Sequence, residues 1–154
     1  MEKELPIGLR FSLLHRSFKK QLDEQLKEKE LTGVQFGVLG QLDRLERSGQ
    51  EEVYQKDLEL ATHVTHPTMT EIIKRLEKQG FVVCRPGARD RRYKCICSTE
   101  KAKLLRQEMA VVDRQVFDRL CSGLSAAQKA SLIAMTDMML ENAGCCGKGK
   151  QSDD

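Results

Sequence analysis

Tryptophan is absent from this sequence, which also has only two tyrosines and five phenylalanines. Leucine, valine, isoleucine and methionine must therefore fill the core of its 154 residues, a length that suits one domain. No apolar run approaches the ~20 residues of a membrane span. The chain begins Met-Glu-Lys-Glu and shows no apolar secretion segment. We therefore expect a cytoplasmic protein without a membrane partner.

Metal-binding patterns are missing although six cysteines are present. None forms a C-x-x-C pair, which excludes zinc-finger and thioredoxin-like interpretations. The histidines at 15, 63 and 66 add no ligand spacing, and the adjacent Cys145 and Cys146 would make a poor tetrahedral site. We predict no metal and no other cofactor. In a reducing compartment most of these cysteines stay as thiols; they lie at positions 84, 95, 97, 121, 145 and 146.

Catalytic signatures are missing as well. The sequence contains no phosphate loop, dinucleotide-binding fingerprint or nucleophile elbow. Its paired carboxylates, such as Asp23-Glu24 and Glu51-Glu52, occur in mixed-charge patterns typical of solvated helix faces. We predict that the chain is not an enzyme.

Positive charge is concentrated in one segment. The formal net charge is only +3, but residues 85–94 carry five positive charges and one negative, which is +4 in ten residues. The rest of the chain therefore sums to about −1. An element that contacts phosphates needs such a concentration, although a solvated basic loop has the same composition.

Apolar periodicity predicts six helices interrupted by one hairpin. Strand-like runs at 81–84 and 93–97 flank a Pro86-Gly87 turn, so 81–97 forms a hairpin with a basic tip. The first, fifth and sixth helices are more apolar than one small domain can bury, which favours pairing with a second copy. The predicted helices run from about 8 to 29, from Thr32 to Ser48-Gly49, from 53 to 61, from Thr65 to Gly80, from Thr99 to Gly123, and onward from Ser125.

The order short helix, tight turn at 62–64 and second helix matches a helix-turn-helix, with the hairpin beside it as a wing. A surface helix beside an ordinary hairpin is the alternative, but the adjacency of these features favours DNA binding. The second helix would enter the major groove and the wing would contact the backbone or a narrow minor groove. The residues expected to contact DNA are His66, Pro67 (by backbone shape), Thr68, Thr70, Lys74, Arg75, Arg89, Arg91 and Arg92.

Three motifs between about 30 and 100 carry a family resemblance. They are Leu31-Thr32-x-x-Gln35-x-x-x-Leu39; Val64-Thr65-x-x-Thr68-Met69-Thr70 with Leu76-Glu77-x-x-Gly80-Phe81-Val82; and Asp90-x-Arg92 followed by Thr99-Glu100-Lys101. Together they resemble the opening of the second helix, the recognition helix and the wing of the MarR family of bacterial transcription factors.

The resemblance implies a mainly α fold with a small β-hairpin, a winged helix-turn-helix with N- and C-terminal dimerisation helices. A single domain would span 1–143, with a DNA-binding lobe at about 32–98, dimerisation helices at about 5–30 and 99–142, and a flexible tail at 144–154. A homodimer would bind near-palindromic double-stranded DNA, with half-sites ~34–36 Å apart. It would act as a sequence-specific regulator, a repressor relieved by a small effector, with activation as the alternative.

The resemblance also assigns roles within the wing. Arg92 would reach the minor groove and Asp90 would orient it through a charge-assisted hydrogen bond. Three positions depart from the family pattern: Cys84 replaces a frequent arginine, for which Arg85 can substitute in contacting DNA, Ser98 replaces a leucine and Ala102 replaces a glycine.

Two hypotheses concern the signal that the regulator would sense. By resemblance, a phenolic anion would bind between the dimer helices and the DNA-binding lobe, near Phe11, His15 and Phe36. The alternative is that the two phenylalanines pack in the core and that His15 is an ordinary surface residue. Thiol sensing would instead use Cys84, Cys95 and Cys97, whose pKa nearby Arg and Lys could lower, with structural cysteines as the alternative. A winged-helix module that binds only protein is a further alternative, although it would need no basic wing.

Overall fold

The computed structural model describes residues 4–144. Six helices and one antiparallel hairpin follow each other in the predicted order, so the mainly α architecture is confirmed. The elements are α1 (Ile7–Glu28), α2 (Gly33–Arg47), α3 (Gln55–Thr62), α4 (His66–Lys78), β1 (Val82–Pro86), β2 (Lys94–Ser98), α5 (Glu100–Leu120) and α6 (Ala126–Asn142). The predicted flexible tail, apart from Gly144, lies outside the described residues.

Capping residues determine where several helices begin. The Thr32 hydroxyl accepts from the Gln35 backbone N–H at 3.2 Å, and the Gln35 amide oxygen accepts from the Thr32 N–H at 2.9 Å. Ser125 and Gln128 repeat this reciprocal pair at α6. Both starts match the predicted caps, because a hydroxyl followed three residues later by glutamine satisfies two otherwise unpaired donors.

The third helix begins two residues later than predicted, because the preceding residues join the hairpin. The Ile96 backbone N–H donates to the Val53 carbonyl at 2.8 Å, and Tyr54 forms a β-bridge with Cys95. Val53 is buried in this extended conformation. The segment before α3 is thereby paired with β2, so it lies against the hairpin.

The strands are also shifted along the chain from the predicted runs. Phe81 is not paired in β1; it follows α4 and closes the end of that helix, since its N–H donates to the Leu76 carbonyl at 2.9 Å. Gly80 allows the helix to end in this way because its φ is +78°, a left-handed conformation that suits glycine. Pairing starts at Val82, opposite Ser98, and continues to Pro86, opposite Lys94.

The chain divides into two compact units, one ending at Val116 and one beginning at Phe117. The first contains one core built from α1, α2, α3, α4, the hairpin and α5. Its largest fully buried side chains include those of Leu26, Leu39, Leu42, Leu58, Met69 and Leu76. Burying a leucine contributes about 1.5–3 kcal/mol, so these residues hold the helices around the hairpin.

Two helices leave large apolar side chains in solvent. The N-terminal half of α1 exposes Ile7, Leu9, Phe11, Leu13 and Leu14. In the second unit, α6 has no buried residue and exposes Leu132, Ile133, Met135, Met138, Met139 and Leu140. Neither α6 nor any other helix in residues 4–144 is both long and apolar enough to cross a bilayer.

Ser98 makes a side-chain hydrogen bond that a leucine at this position could not make. Its hydroxyl donates to the Glu46 Oε2 at 2.5 Å, and its backbone N–H donates to the Glu46 Oε1 at 2.8 Å. These bonds fasten the base of β2 to α2 at a half-buried position.

Replacing Ser98 with alanine is expected to reduce the free energy of unfolding by about 1–2 kcal/mol, because a half-buried carboxylate oxygen loses its donor. Urea denaturation measures the change. Ser122, which is exposed, provides the matched Ser122→Ala control and should change stability by less than about 0.5 kcal/mol. Equal stabilities for the two variants would contradict the assigned role of the Ser98 hydroxyl.

Candidate nucleic-acid interface

The turn between α3 and α4 is made by a left-handed residue. His63 closes α3 with φ of 55° and ψ of 26°, and Thr65 precedes the first turn of α4 in extended conformation. Thr65 occupies the predicted N-cap position, but its hydroxyl donates to the Thr68 Oγ1 at 3.0 Å and accepts no backbone N–H. Pro67 lies in the first turn, where its missing N–H costs nothing.

The two faces of α4 separate cleanly. Met69, Ile72, Ile73 and Leu76 are buried in the core. The opposite face is exposed, and of the predicted contact residues it carries His66, Pro67, Thr68, Lys74 and Arg75. Lys74 pairs with Glu71 at 3.0 Å, and because both side chains are exposed this ion pair is weak.

Thr70 differs from the other predicted contact residues because it is only half exposed. Its hydroxyl donates to the His66 carbonyl at 3.0 Å and accepts from the Gln55 side-chain amide at 2.8 Å. Both hydrogen-bonding roles are thus used within the protein, so Thr70 is better placed to hold α3 against α4 than to read a base.

The α3 side chains Gln55 and Glu59 were not among the residues predicted from sequence. The Glu59 Oε1 lies 2.7 Å from the His66 Nδ1, and the Gln55 amide donates to the same Glu59 oxygen at 2.8 Å. Hydrogen bonds from Gln55 and His66 lower the pKa of Glu59. The His66 ring is therefore held at the start of α4. The i, i+4 spacing of Gln55 and Glu59 is the only sequence signal for this contact.

The tip of the hairpin is organised by Asp90 and Arg92. The Arg92 guanidinium donates to the Asp90 carboxylate through Nε at 3.0 Å and through Nη2 at 2.7 Å. The Arg92 backbone N–H also donates to Asp90, at 3.0 Å. These bonds lower the pKa of Asp90 and raise that of Arg92. The Arg92 side chain remains 85% exposed, so it is oriented and still accessible.

The other wing arginines, Arg85, Arg89 and Arg91, are exposed. The Arg89 guanidinium lies 3.7 Å from the Glu51 carboxylate, and both side chains are 83% exposed. The wing and the exposed face of α4 thus present cations, hydroxyls and an imidazole, which are groups that bind phosphates and base edges.

Of the three wing cysteines, Cys95 is buried and Cys84 and Cys97 are half-buried. Cys95 and Cys97 lie on one face of β2 with their sulfurs 3.8 Å apart, and Cys84 lies across the hairpin opposite Ile96. Burial and the Glu77 carboxylate raise the pKa of Cys84 to about 11. Burial and Cys95 raise that of Cys97. The expected lowering by nearby Arg and Lys is outweighed by burial, which disfavours the reactive thiolate.

A cleft of about 750 Å³ lies between α1 and α2. His15 and Phe36, two of the three residues predicted to line an effector site, border it together with Phe18, Leu22 and Leu31. Phe11 is not among its lining residues and is 44% exposed.

Within residues 4–144, no three His, Cys, Asp or Glu side chains form a metal-binding group; Cys145 and Cys146 lie outside that range.

The helix pair α3–α4 with the adjoining hairpin defines a winged helix-turn-helix protein. Residues 29–92 match the model of the MarR family, whose members are DNA-binding transcriptional regulators. This match agrees with the resemblance to the MarR family that the motifs indicated.

Solved structures agree with this fold. Wild-type apo MarR from Escherichia coli is 19% identical, with a TM-score of 0.73, over 90% of this chain and 99% of that one. MepR, a regulator of the Staphylococcus aureus multidrug efflux pump MepA, is 22% identical with a TM-score of 0.72, and the match covers 90% of this chain and 99% of that one. A MepR variant bound to an oligodeoxyribonucleotide is 24% identical with a TM-score of 0.66, over 91% of this chain and 99% of that one.

Proposed function

We propose that this protein is a homodimeric, sequence-specific operator-binding regulator, with a DNA-binding lobe at about 32–98. The observation that supports it most directly is the exposed N-terminal face of α4 beside an exposed Arg92 held by Asp90. In this arrangement α4 enters the major groove, and Thr68 and Lys74 contact bases or phosphates. Arg92 enters the adjoining minor groove.

The second copy is proposed from the exposed apolar faces of α1 and α6. Contiguous apolar patches on a protein surface mark interaction sites, and a two-fold dimer would bury each face against a partner. Two copies of α4 would then read the two halves of a near-palindromic site. The proposed dimerisation helices are about 5–30 and 99–142.

We propose repression relieved by a small aromatic anion as the mode of regulation. The α1–α2 cleft supports this, because its wall combines Phe18 and Phe36 with the cationic Lys19 and with His15. A ring can pack on the apolar wall. Its anionic group would compete for Lys19 with Asp23, which also lines the cleft and lies 2.9 Å from the Lys19 Nζ. If saturating phenolic acids leave both DNA affinity and melting temperature unchanged, this part of the proposal is wrong.

Thr68 provides a test of sequence-specific recognition. Replacing it with alanine is expected to weaken binding to the operator about tenfold while leaving affinity for a scrambled duplex almost unchanged, because a lost base contact affects only the matching site. The matched control is Lys78→Ala, at the other end of α4, which should affect neither duplex appreciably. Equal losses on both duplexes after Thr68→Ala would refute base reading by Thr68.

A further inference from the structure

Glu52, in the segment between α2 and α3, reaches the wing across 36 positions of sequence. Its Oε1 accepts the Ala88 backbone N–H at 2.5 Å, and its Oε2 lies 3.5 Å from the Arg89 backbone N–H. Both donors belong to the turn that carries the wing arginines. One carboxylate therefore holds two successive amides of that turn.

Tyr54 contacts both Glu52 and the wing turn. Its hydroxyl donates to the Glu52 Oε2 at 2.5 Å, and its ring meets Tyr93 edge to face, with centroids 6.3 Å apart and planes at 77°. A Cβ on Gly87 would lie 2.7 Å from the Tyr54 hydroxyl oxygen, so the turn packs directly on the tyrosine. Tyr54 also forms the β-bridge to Cys95, which fixes its backbone relative to the hairpin.

The protonation states match these bonds. The Ala88 N–H and the Tyr54 hydroxyl lower the pKa of Glu52, and Glu52 raises the pKa of Tyr54 to about 12. At neutral pH the carboxylate is thus an anion that accepts, and the tyrosine keeps the proton that it donates.

We infer that Glu52 and Tyr54 are positioning residues that hold the wing turn where Arg89 and Arg92 can contact DNA, an inference that rests on the proposed function. Charge alone predicts the opposite effect for Glu52, because an anion beside a DNA-binding turn repels phosphates. The sign of a substitution therefore separates positioning from simple electrostatics.

The test compares Glu52→Ala with Glu51→Ala in the full chain. Glu51 is the neighbouring carboxylate, 83% exposed, and it contacts the wing only through the Arg89 side chain. We expect Glu52→Ala to weaken operator binding about tenfold and to reduce the dependence of log affinity on log salt by about one unit. Glu51→Ala should bind as the wild type does, or more tightly. Tighter binding by Glu52→Ala would overturn the inference.

Two conservative variants check that the defect comes from the lost hydrogen bonds. Glu52→Gln keeps an oxygen that can accept the Ala88 N–H, so it should recover part of the affinity lost in Glu52→Ala. Tyr54→Phe keeps the ring against Tyr93 and removes only the hydroxyl, and it should weaken binding less than Glu52→Ala does. Wild-type affinity in both Glu52→Ala and Tyr54→Phe would contradict the assigned role.

Hydrogen exchange provides a readout that needs no DNA. The Ala88 amide should exchange several-fold faster in Glu52→Ala than in the wild type, while core amides of α2 and α4 are unchanged. Unchanged exchange at Ala88 would overturn the inference even if DNA binding is lost. If the wild type binds no duplex, the proposed function fails, and this measurement still decides whether Glu52 holds the turn.

Discussion

Replacing Arg92 with alanine is expected to weaken operator binding about 10- to 100-fold, the largest loss from any single wing residue. Asp90 holds the Arg92 guanidinium in a two-bond fork while leaving it 85% exposed, so little side-chain freedom remains to be lost on binding. Arg92→Lys should not restore affinity, because an ammonium cannot reproduce the planar fork. Fluorescence anisotropy with a labelled operator measures these affinities.

Arg91 is the matched control for this prediction. It is exposed, it carries the same charge, and it is adjacent in sequence. Arg91→Ala should weaken binding only by the amount expected for one phosphate contact and should do so on any duplex. Equal losses for the two variants would show that the wing contributes charge alone and that the Asp90–Arg92 fork has no specific role.

Placing two charges in the exposed apolar face of α6 is expected to separate the proposed dimer and to lower operator affinity by about 10²-fold or more, since two linked half-site contacts become independent. Met135→Glu combined with Met138→Glu is a suitable variant. These side chains are 57% and 63% exposed, so folding of the single chain should survive. Sedimentation velocity and operator binding measured on the same samples test both consequences.

A polar position of the same helix provides the control. Asp137→Lys reverses a charge at an exposed residue that is already polar, and it should leave the dimer intact. If the double glutamate variant sediments as the wild type does and binds the operator equally well, the apolar face of α6 is not the dimer interface.

Local signals account for most of what could be predicted from sequence. Thr32 with Gln35 and Ser125 with Gln128 mark helix starts, because their hydrogen bonds span only three residues. Gly80 marks the end of α4, since its positive φ suits glycine. The hairpin and the exposed face of α4 follow from apolar periodicity in the same way.

Contacts between distant segments could not be predicted from one sequence. Glu52 meets the wing 36 positions later, Ser98 meets Glu46 across 52 positions, and Arg106 meets Asp43 across 63. No local pattern marks such partners. The shift of α3 has the same cause, because pairing of Val53 with Ile96 outweighs the helical tendency of its segment.

The properties of the wing cysteines also depended on tertiary structure. Neighbouring arginines and lysines in the sequence indicated lowered pKa values, but burial has the larger effect at Cys84 and Cys97. Similarly, Thr70 has the spacing of an outward residue, yet Gln55 from α3 covers its hydroxyl. Sequence identifies the charged neighbours of a group but not its exposure to solvent.

Fluorescence anisotropy of the wild-type protein tests specific DNA binding most directly. The probe is the duplex that flanks the protein's own gene, with a scrambled duplex of equal length as the control, at low and near-physiological salt. We expect preference for the flanking duplex at both salts, with log affinity falling linearly in log salt. Absence of binding to either duplex by an intact dimer would contradict the claim and would favour a module that binds only protein.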